Sequence, residues 1–263
     1  MIGLTAVGGL LAAFLGLPVV VLLSRALLDG SAAGVEVAPA VLDALGLSLA
    51  TTAASLVITV VLGTPLALLL ARRRFRGAGL LEAIVDLPIV LPPSVAGLAL
   101  LYVFGRRGLL GEPLALLGIS IPFTTVAVVI AQVFVAAPFF VRSARAGIAA
   151  VERDLEDAAR ADGASEAQVV RRVTLPLAGA ALAAGLVMAW ARSLGEFGAT
   201  IMFAGNLTGR TQTLPLVVYG EFQAGHLEAS TAAAAILVLA ALGVLVAVRV
   251  LHWGRALDLR RLA

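Results

Sequence analysis

Long apolar runs separated by short polar intervals dominate this chain. A helix needs about 20 predominantly apolar residues to cross the hydrocarbon core of a bilayer. Six runs approach or exceed that length, so the pattern predicts six membrane-spanning helices and an all-α membrane protein. Their expected limits are approximately 2–28, 44–71, 87–105, 122–141, 177–203 and 229–248.

The third and the first predicted spans each have a further feature in the sequence. The third contains Pro88, Pro92 and Pro93; because proline cannot donate a helical hydrogen bond, we expect a kinked helix there. The first is uncharged from Met1 to Ser24 and no cleavage pattern follows it, so we expect a retained span rather than a signal peptide.

One loop carries an apolar segment of its own. Residues 204–228 separate the last two predicted spans, and their part 214–222 is apolar but too short to cross a membrane. We expect this segment to lie at the membrane interface or to re-enter the bilayer.

The longest polar interval runs from Asp154 to Pro176 and has helix signals of its own. Asp154 is a suitable N-cap for a short helix, and Gly163 suits a left-handed helix end. Ser165 and Gln168 have the spacing of a capping box for a second helix. The interval therefore predicts a helix–Gly–helix element in water, where a soluble partner could dock.

The same residues resemble a loop shared by the membrane subunits of bacterial ABC importers. That loop reads Glu-Ala-Ala, three residues, Gly, nine residues, Ile, one residue and Leu-Pro. All spacings match here, with Asp in place of Glu and Val in place of Ile. The matching residues are Asp157, Ala158, Ala159, Gly163, Val173, Leu175 and Pro176.

The resemblance implies that this element is a coupling helix, which would sit in a groove of a separate ATPase subunit. Leu155, Glu156 and Ala164 lie beside the motif and are included among the coupling residues. The alternative is an ordinary solvated hairpin on the cytoplasmic side.

The composition agrees with a membrane protein. Of the 263 residues, 61% are hydrophobic and 13% are charged, and the mean hydropathy is +1.06. A soluble domain has about a quarter of its residues charged. The chain has no Cys, and its two His are far apart in sequence, so we predict neither a disulfide nor a metal site.

The distribution of Arg predicts the orientation. Fourteen of the 19 Arg lie in three places: the loop that directly follows the second span, the interval 142–176, and the C-terminal tail. Three Arg lie in the loops on the other side of the membrane. Because cytoplasmic loops carry the excess of basic residues, both termini and the 142–176 interval should be cytoplasmic. This orientation signal accounts for the pI near 10.5, and we predict no nucleic-acid partner.

The chain shows no means of hydrolysing ATP. A phosphate-binding loop requires a Lys, and this sequence has none. Energy must therefore come from a partner subunit or an ion gradient, and any ATP and Mg would be bound by the partner. No nucleophile–base set is visible, so we predict no catalytic residues and no enzyme activity.

Arg192 and Glu196 form the one ionisable pair inside a predicted span. Four residues apart, they should share one helix face. Ionisable residues in a membrane are functional candidates because their burial is costly. Arg192 could line an anion pathway or stabilise an outer gate, or the pair could serve only packing; the sequence leaves both interpretations open.

A narrower resemblance points to molybdate permeases. It is carried by residues 87–97, 104–108, 194–200, 203–206 and 209–216. It implies molybdate as the substrate, with tungstate as a second candidate. The candidates for a pathway or gate are Pro92, Pro93, Ser94, Arg192, Glu196, Thr200 and Asn206.

The resemblance also implies an assembly. We expect the six-helix type I ABC importer permease fold in the cytoplasmic membrane of a bacterium or archaeon. The partners would be a second copy of the chain, two cytoplasmic ATPase subunits, an extracytoplasmic oxyanion-binding protein and the lipid bilayer. The expected parts are a first helix and loop (1–43), a permease domain (44–251) and a cytoplasmic tail (252–263).

Two rival functions remain at this point. Sulfate and thiosulfate permeases share the Gly-Glu-Phe-Gly core at 195–198, so the oxyanion could differ. An ion-coupled secondary transporter is the second rival. Such proteins usually show inverted repeats and intramembrane relays; we find no repeat between the halves, and copurification of a soluble ATPase would discriminate the two classes.

The orientation predicts a labelling pattern. In intact cells, an impermeant thiol reagent should label Ala33→Cys and Gly209→Cys but not Ala164→Cys, because only the first two should face outward. The absence of native Cys makes the background clean. Labelling of Ala164→Cys would contradict the orientation and the coupling assignment with it.

Overall fold

The computed structural model describes residues 2–28, 39–73 and 75–261, with side chains for 5–28, 39–73 and 75–246. Every regular element in these ranges is helical. Ala33, Arg74 and most of the predicted first loop lie outside the described residues, as do the side chains of the Arg-rich tail.

The helices follow one another along the chain with short connections. They are α1 (Ile2–Leu28), α2 (Pro39–Arg72), α3 (Ala78–Val90), α4 (Pro93–Phe104), α5 (Gly111–Leu116), α6 (Thr125–Ala149), α7 (Arg153–Ala161), α8 (Glu166–Val169), a π-helical segment (Val170–Thr174), α9 (Leu175–Leu177), α10 (Gly179–Leu194), α11 (Gly198–Phe203), α12 (Leu214–Gln223) and α13 (Leu227–Arg261).

Four of these helices are long and apolar enough to cross a membrane unbroken. They are α1, α2, α6 and the 227–246 part of α13. Two bent pairs, 78–104 and 166–194, raise the number of spans to six if each pair is one span. The predicted all-α architecture is thus confirmed, and the short apolar segment at 214–222 forms helix α12.

The prediction of one kinked helix for the third span is wrong. Helices α3 and α4 meet at 119°, a sharp break rather than a kink. Leu91 and Pro92 are both extended, with ψ values of 133° and 136°. A residue before proline avoids the helical region, and Pro93 suits the first position of a new helix, so consecutive prolines end one helix and begin the next.

The fifth span is also discontinuous. Helix α10 ends at Leu194 and α11 begins at Gly198, and a 72° bend precedes α10 at Ala178. The fourth span is longer than predicted, because α6 continues to Ala149. Arg142 and Arg145 therefore lie on a helix, and their guanidinium groups pair with Asp86 and Glu82 of α3 at 3.7 and 2.9 Å.

The chain divides into two compact units, residues 1–48 with 206–263 and residues 49–205. In the 49–205 unit, α6 is central and packs against α3, α4, α10 and α11. Its core includes Ala136, Phe140 and Ile148 near one end of α6, and Ala127 and Phe203 near the other.

In the other unit, α13 packs against α1 and α12. Its core joins Ala44 of α2 to Leu214, Val217 and Ala233. Helix α13 continues without a break through the expected boundary at 251–252. The division into 1–43, 44–251 and 252–263 stays a prediction.

The described backbone refines the labelling experiment. Gly209 has φ of 72°, a left-handed conformation in which a side chain is strained. Thr208 is exposed beside it, so Thr208→Cys is the better position for the outward-facing label.

Candidate functional site

The first candidate site is the element from α7 to α9, where the polar interval was predicted to fold. Helix α7 begins after Glu152, so the prediction that Asp154 caps it is wrong; Asp154 lies in the first turn. At the other end Gly163 has φ of 88°, as predicted. The Gly163 and Ala164 N–H groups donate to carbonyls of α7 at 3.0 Å each, which is the Schellman geometry.

The predicted capping box of the second helix is confirmed. The Ser165 N–H donates to Gln168 Oε1 at 2.8 Å, and the Gln168 N–H donates to Ser165 Oγ at 3.4 Å. These reciprocal bonds satisfy donors that a helix start leaves free. The direction of the chain through this turn is therefore fixed by local contacts.

Arg160 connects the two short helices. It donates to Asp157 at 2.6 Å and to Glu166 at 2.7 Å. The hydrogen bond from Arg160 lowers the pKa of the exposed Glu166 carboxyl. The contact is therefore complete at neutral pH and is lost as the pH falls through that lowered pKa.

The outer surface of α7 is available for a partner. Leu155 is 47% exposed, and Asp157 and Ala158 are exposed as well. Gly163 and Pro176 are exposed, whereas Ala159, Ala164 and Leu175 are half-buried. A small apolar surface edged by acids suits a groove with complementary basic groups.

Glu156 differs from the other predicted coupling residues because it points into the chain. It is 5% exposed, and its Oε1 accepts from Arg72 and Thr174 at 2.7 Å each. The sequence interpretation grouped Glu156 with ATPase contacts and missed both partners. Arg72 was taken only as an orientation signal, and a Thr in a helical segment gives no signal by itself.

The second candidate site lies where the two helix breaks meet. A Cβ placed on Gly198 would lie 2.5 Å from Pro93 Cβ, and one on Gly97 would lie 2.7 Å from the Ala199 carbonyl oxygen. Only glycine permits such close approach. The start of α4, where Pro92, Pro93 and Ser94 are exposed, is therefore packed directly against the start of α11.

Arg192 and Glu196 pair as predicted, but they do not share a helix. Arg192 Nη2 lies 2.6 Å from Glu196 Oε2, and Glu196 lies in the break after α10. Its Oε1 accepts the Ala199 N–H at 2.7 Å, so the carboxylate also caps α11. Glu196 is 1% exposed, whereas the Arg192 side chain keeps 27% of its surface exposed.

Neutral polar groups hold the other side of this break. The Ser193 carbonyl accepts from Gln132 Nε2 at 3.2 Å, and Ser193 Oγ accepts from Ser55 Oγ at 3.2 Å. The sequence interpretation missed these residues. The available signal was Gln132 within an apolar run and the repeated Ser and Thr of α2, since polar groups in membrane helices need partners.

The remaining gate candidates do not all gather here. Thr200 lies on α11 and is fully buried, and among the described residues its hydroxyl has no hydrogen-bond partner. Asn206 belongs to the other compact unit, where it is exposed and lies near Gly220 of α12.

Comparison with known proteins identifies the family. Residues 63–255 match the family described as binding-protein-dependent transport system inner membrane component. This chain belongs to that family. Membership makes it a multi-pass membrane component of a transport system, and it removes the secondary-transporter alternative.

Curated relatives include permeases for oxyanions. The molybdenum transport permease ModB of Mycobacterium tuberculosis is 51% identical over 69% of each chain. The molybdate/tungstate permease WtpB of Pyrococcus abyssi is 35% identical over 93% of this chain and 92% of its own. The sulfate permease CysT of Salmonella typhimurium is 36% identical over 73% and 69%, respectively.

Solved structures show the same fold. A bacterial ABC transporter that imports alginate aligns with a TM-score of 0.66 at 19% identity, over 82% of this chain and 79% of its own. The MetNI methionine transporter aligns with a TM-score of 0.62 at 22% identity, over 80% and 94%. The predicted type I ABC importer permease fold is thereby confirmed.

The geometry of the ion pair generates a prediction. Glu196→Ala should destabilise the protein by about 3–5 kcal/mol, because it leaves Arg192 charged and unpaired as well as removing a helix cap. The double change Arg192→Gln with Glu196→Gln should recover most of this stability, since the Gln carbonyl can still accept the Ala199 N–H. Thermal unfolding in detergent measures both effects.

Transport by this double variant then distinguishes a packing role of Arg192 from a role in the anion pathway. We expect reduced uptake in proteoliposomes despite recovered stability, because the positive side chain is gone. Wild-type uptake by the double variant would contradict a pathway role for Arg192 and leave it a packing residue.

Proposed function

We propose that this chain is the permease subunit of an ATP-driven importer that carries molybdate, with tungstate as a second candidate, into the cytoplasm. The observation that carries the substrate is the 35% identity to WtpB over nearly the whole of both chains, supported by 51% identity to ModB over a shorter alignment. The substrate is thus inferred from the relatives, and the mechanism is inferred from the geometry.

Coupling to a cytoplasmic ATPase rests on α7. Its exposed side, with Leu155 and Ala158 flanked by Asp157, is the docking surface, and Gly163 fixes the angle at which the chain leaves the helix. ATP and Mg bind to the ATPase, which supplies the phosphate-binding loop that this Lys-free chain lacks.

The complete importer contains two copies of this chain, two ATPase subunits and an extracytoplasmic binding protein. The termini and α7 face the cytoplasm, in keeping with the Arg distribution. Closure of the ATPases would draw the two α7 helices together and turn the pathway outward, where the binding protein releases its anion. Selectivity then resides mainly in the binding protein.

The meeting point of the two helix breaks is the proposed gate. A divalent oxyanion that loses hydration needs positive or hydrogen-bonding groups along its path. Arg192 retains exposed surface while Glu196 fixes its position, so its remaining N–H groups are available to an anion. Pro92, Pro93 and Ser94 contribute exposed backbone and a hydroxyl beside Gly198.

Sulfate is the second candidate substrate, because CysT is 36% identical over 73% of this chain. Sulfate and molybdate are both tetrahedral dianions, and the described residues do not separate them. A transport assay must therefore compare the two anions directly.

Uptake by the assembled complex tests the proposal. We expect proteoliposomes with the ATPase and binding protein to accumulate molybdate only with ATP, tungstate to compete, and sulfate at equal concentration to compete weakly. ATP-dependent uptake that sulfate abolishes and tungstate does not would contradict the molybdate assignment.

Gly163→Val should uncouple the complex without preventing membrane insertion. A β-branched residue resists the positive φ that ends α7, so the helix would leave its groove and uptake would be lost. Gly179→Val is the matched control, since it has an ordinary helical φ and open space for a side chain. Normal uptake with Gly163→Val would contradict the coupling role.

A further inference from the structure

Arg72, the last residue of α2, contacts the coupling element, which runs from α7 to α9. Arg72 Nη2 donates to Glu156 Oε1 at 2.7 Å and to the Val151 carbonyl at 3.2 Å. Among the acidic side chains that the structure describes, only Glu156 and Glu196 are buried. Arg72 and Glu156 therefore form a second ion pair on a buried carboxylate, separate from the one at the helix breaks, with 18% of the Arg72 side chain exposed.

Thr174 completes the contact from a third direction. It lies in the π-helical segment, is 1% exposed, and donates to the same Glu156 oxygen at 2.7 Å. Short π-helical segments are frequent at functional sites. One carboxylate thus joins α7 to the end of α2 and to the segment that leads into α9.

This contact resists separation. A buried carboxylate that loses its partner keeps its desolvation penalty, so sliding α7 away from Arg72 is costly. The guanidinium is a planar fork whose donors are preorganised for hydrogen bonding. Glu156 is also too buried to contact an ATPase directly, so its effect on coupling has to act through the side chains it contacts. These are Arg72 and Thr174 on Oε1, with Arg160 3.9 Å from Oε2.

The other end of the same helix stretch reaches the gate. Ser55 of α2 bonds Ser193, the penultimate residue of α10, which is followed after Leu194 by the break containing Glu196. Seventeen residues separate Ser55 from Arg72, which corresponds to about 25 Å along a helix. Helix α2 therefore contacts the coupling element at one point and the gate at another.

We infer that α2 transmits movement of the coupling helix α7 to the gate. Arg72 and Glu156 are the positioning residues that hold α2 against α7. This inference rests on the proposed function. When the ATPases displace α7, the ion pair passes that displacement to α2, and Ser55 passes it to Ser193. Without the pair, α7 moves while α2 lags, and ATP is hydrolysed without transport.

The test is uptake per ATP hydrolysed, measured on the full complex in proteoliposomes. Arg72→Met and Glu156→Gln should both lower this ratio about tenfold, within the usual range of coupling between sites, while hydrolysis continues. The matched control is Arg73→Met, which removes the same charge from the exposed neighbouring residue and should leave the ratio unchanged.

A chemical link then distinguishes a connecting role from simple stabilisation. In the double variant Arg72→Cys with Glu156→Cys, a short bismaleimide should restore most of the lost uptake per ATP, because it replaces the ion pair with a covalent connection. This chain has no other Cys, and Cys-free partner subunits keep the reaction specific. Cross-linking that restores thermal stability but not the ratio would contradict the inference.

The remaining outcomes are equally decisive. Variants with less assembled complex but a wild-type ratio would show that the pair serves folding alone, as would failure of both Arg72→Met and Glu156→Gln to assemble. A wild-type complex without molybdate uptake would contradict the proposed function instead. The same comparison is then made with sulfate, so the two failures remain distinguishable.

Discussion

A membrane helix that breaks exposes backbone N–H and C=O groups to a solvent that cannot satisfy them. The described part of this chain contains such a break within its fifth predicted span, and side chains and backbone groups together supply the partners. Glu196 Oε1 accepts the Ala199 N–H in the first turn of α11. The Ser193 carbonyl in the last turn of α10 accepts the Glu196 N–H and, in addition, Gln132 Nε2. Because Glu196 also carries a charge, Arg192 must accompany it. The polar centre of the 49–205 unit follows from this one requirement.

Close packing of the two breaks depends on the absence of side chains. Gly97 and Gly198 allow α4 and α11 to approach so closely that an added Cβ would meet Ala199 or Pro93. In lipid there is little hydrophobic force between helices, so such contacts come from small residues and hydrogen bonds. Two discontinuous helices packed on each other meet at unwound residues, and this geometry supports the proposed gate at their junction.

The sequence predicted features whose signals lie close together along the chain, and it missed contacts between distant residues. The continuous spans and the caps at Gly163 and Ser165 were predictable because the signals lie within a few residues of their effects. The breaks were not, because proline indicates a lost hydrogen bond but not a 119° turn. The contacts of Gln132 with Ser193 and of Arg72 with Glu156 join residues 61 and 84 positions apart. Only the fold reveals such pairs. In the sequence alone, the run of Arg at the end of α2 is interpreted as an orientation signal.

The two buried carboxylates carry out the same physical task at different places. Each accepts from an Arg and from a second donor, so each holds its segment without leaving a charge unpaired. In the proposed ATP-driven importer, this property is needed at two points: where the ATPase acts on α7 and where the anion path opens. Flexible contacts at either point would absorb a displacement, whereas a buried carboxylate that loses its partners keeps its desolvation penalty, which favours movement of the two segments together. The described residues place both pairs in one compact unit, with α2 in contact with the regions of both.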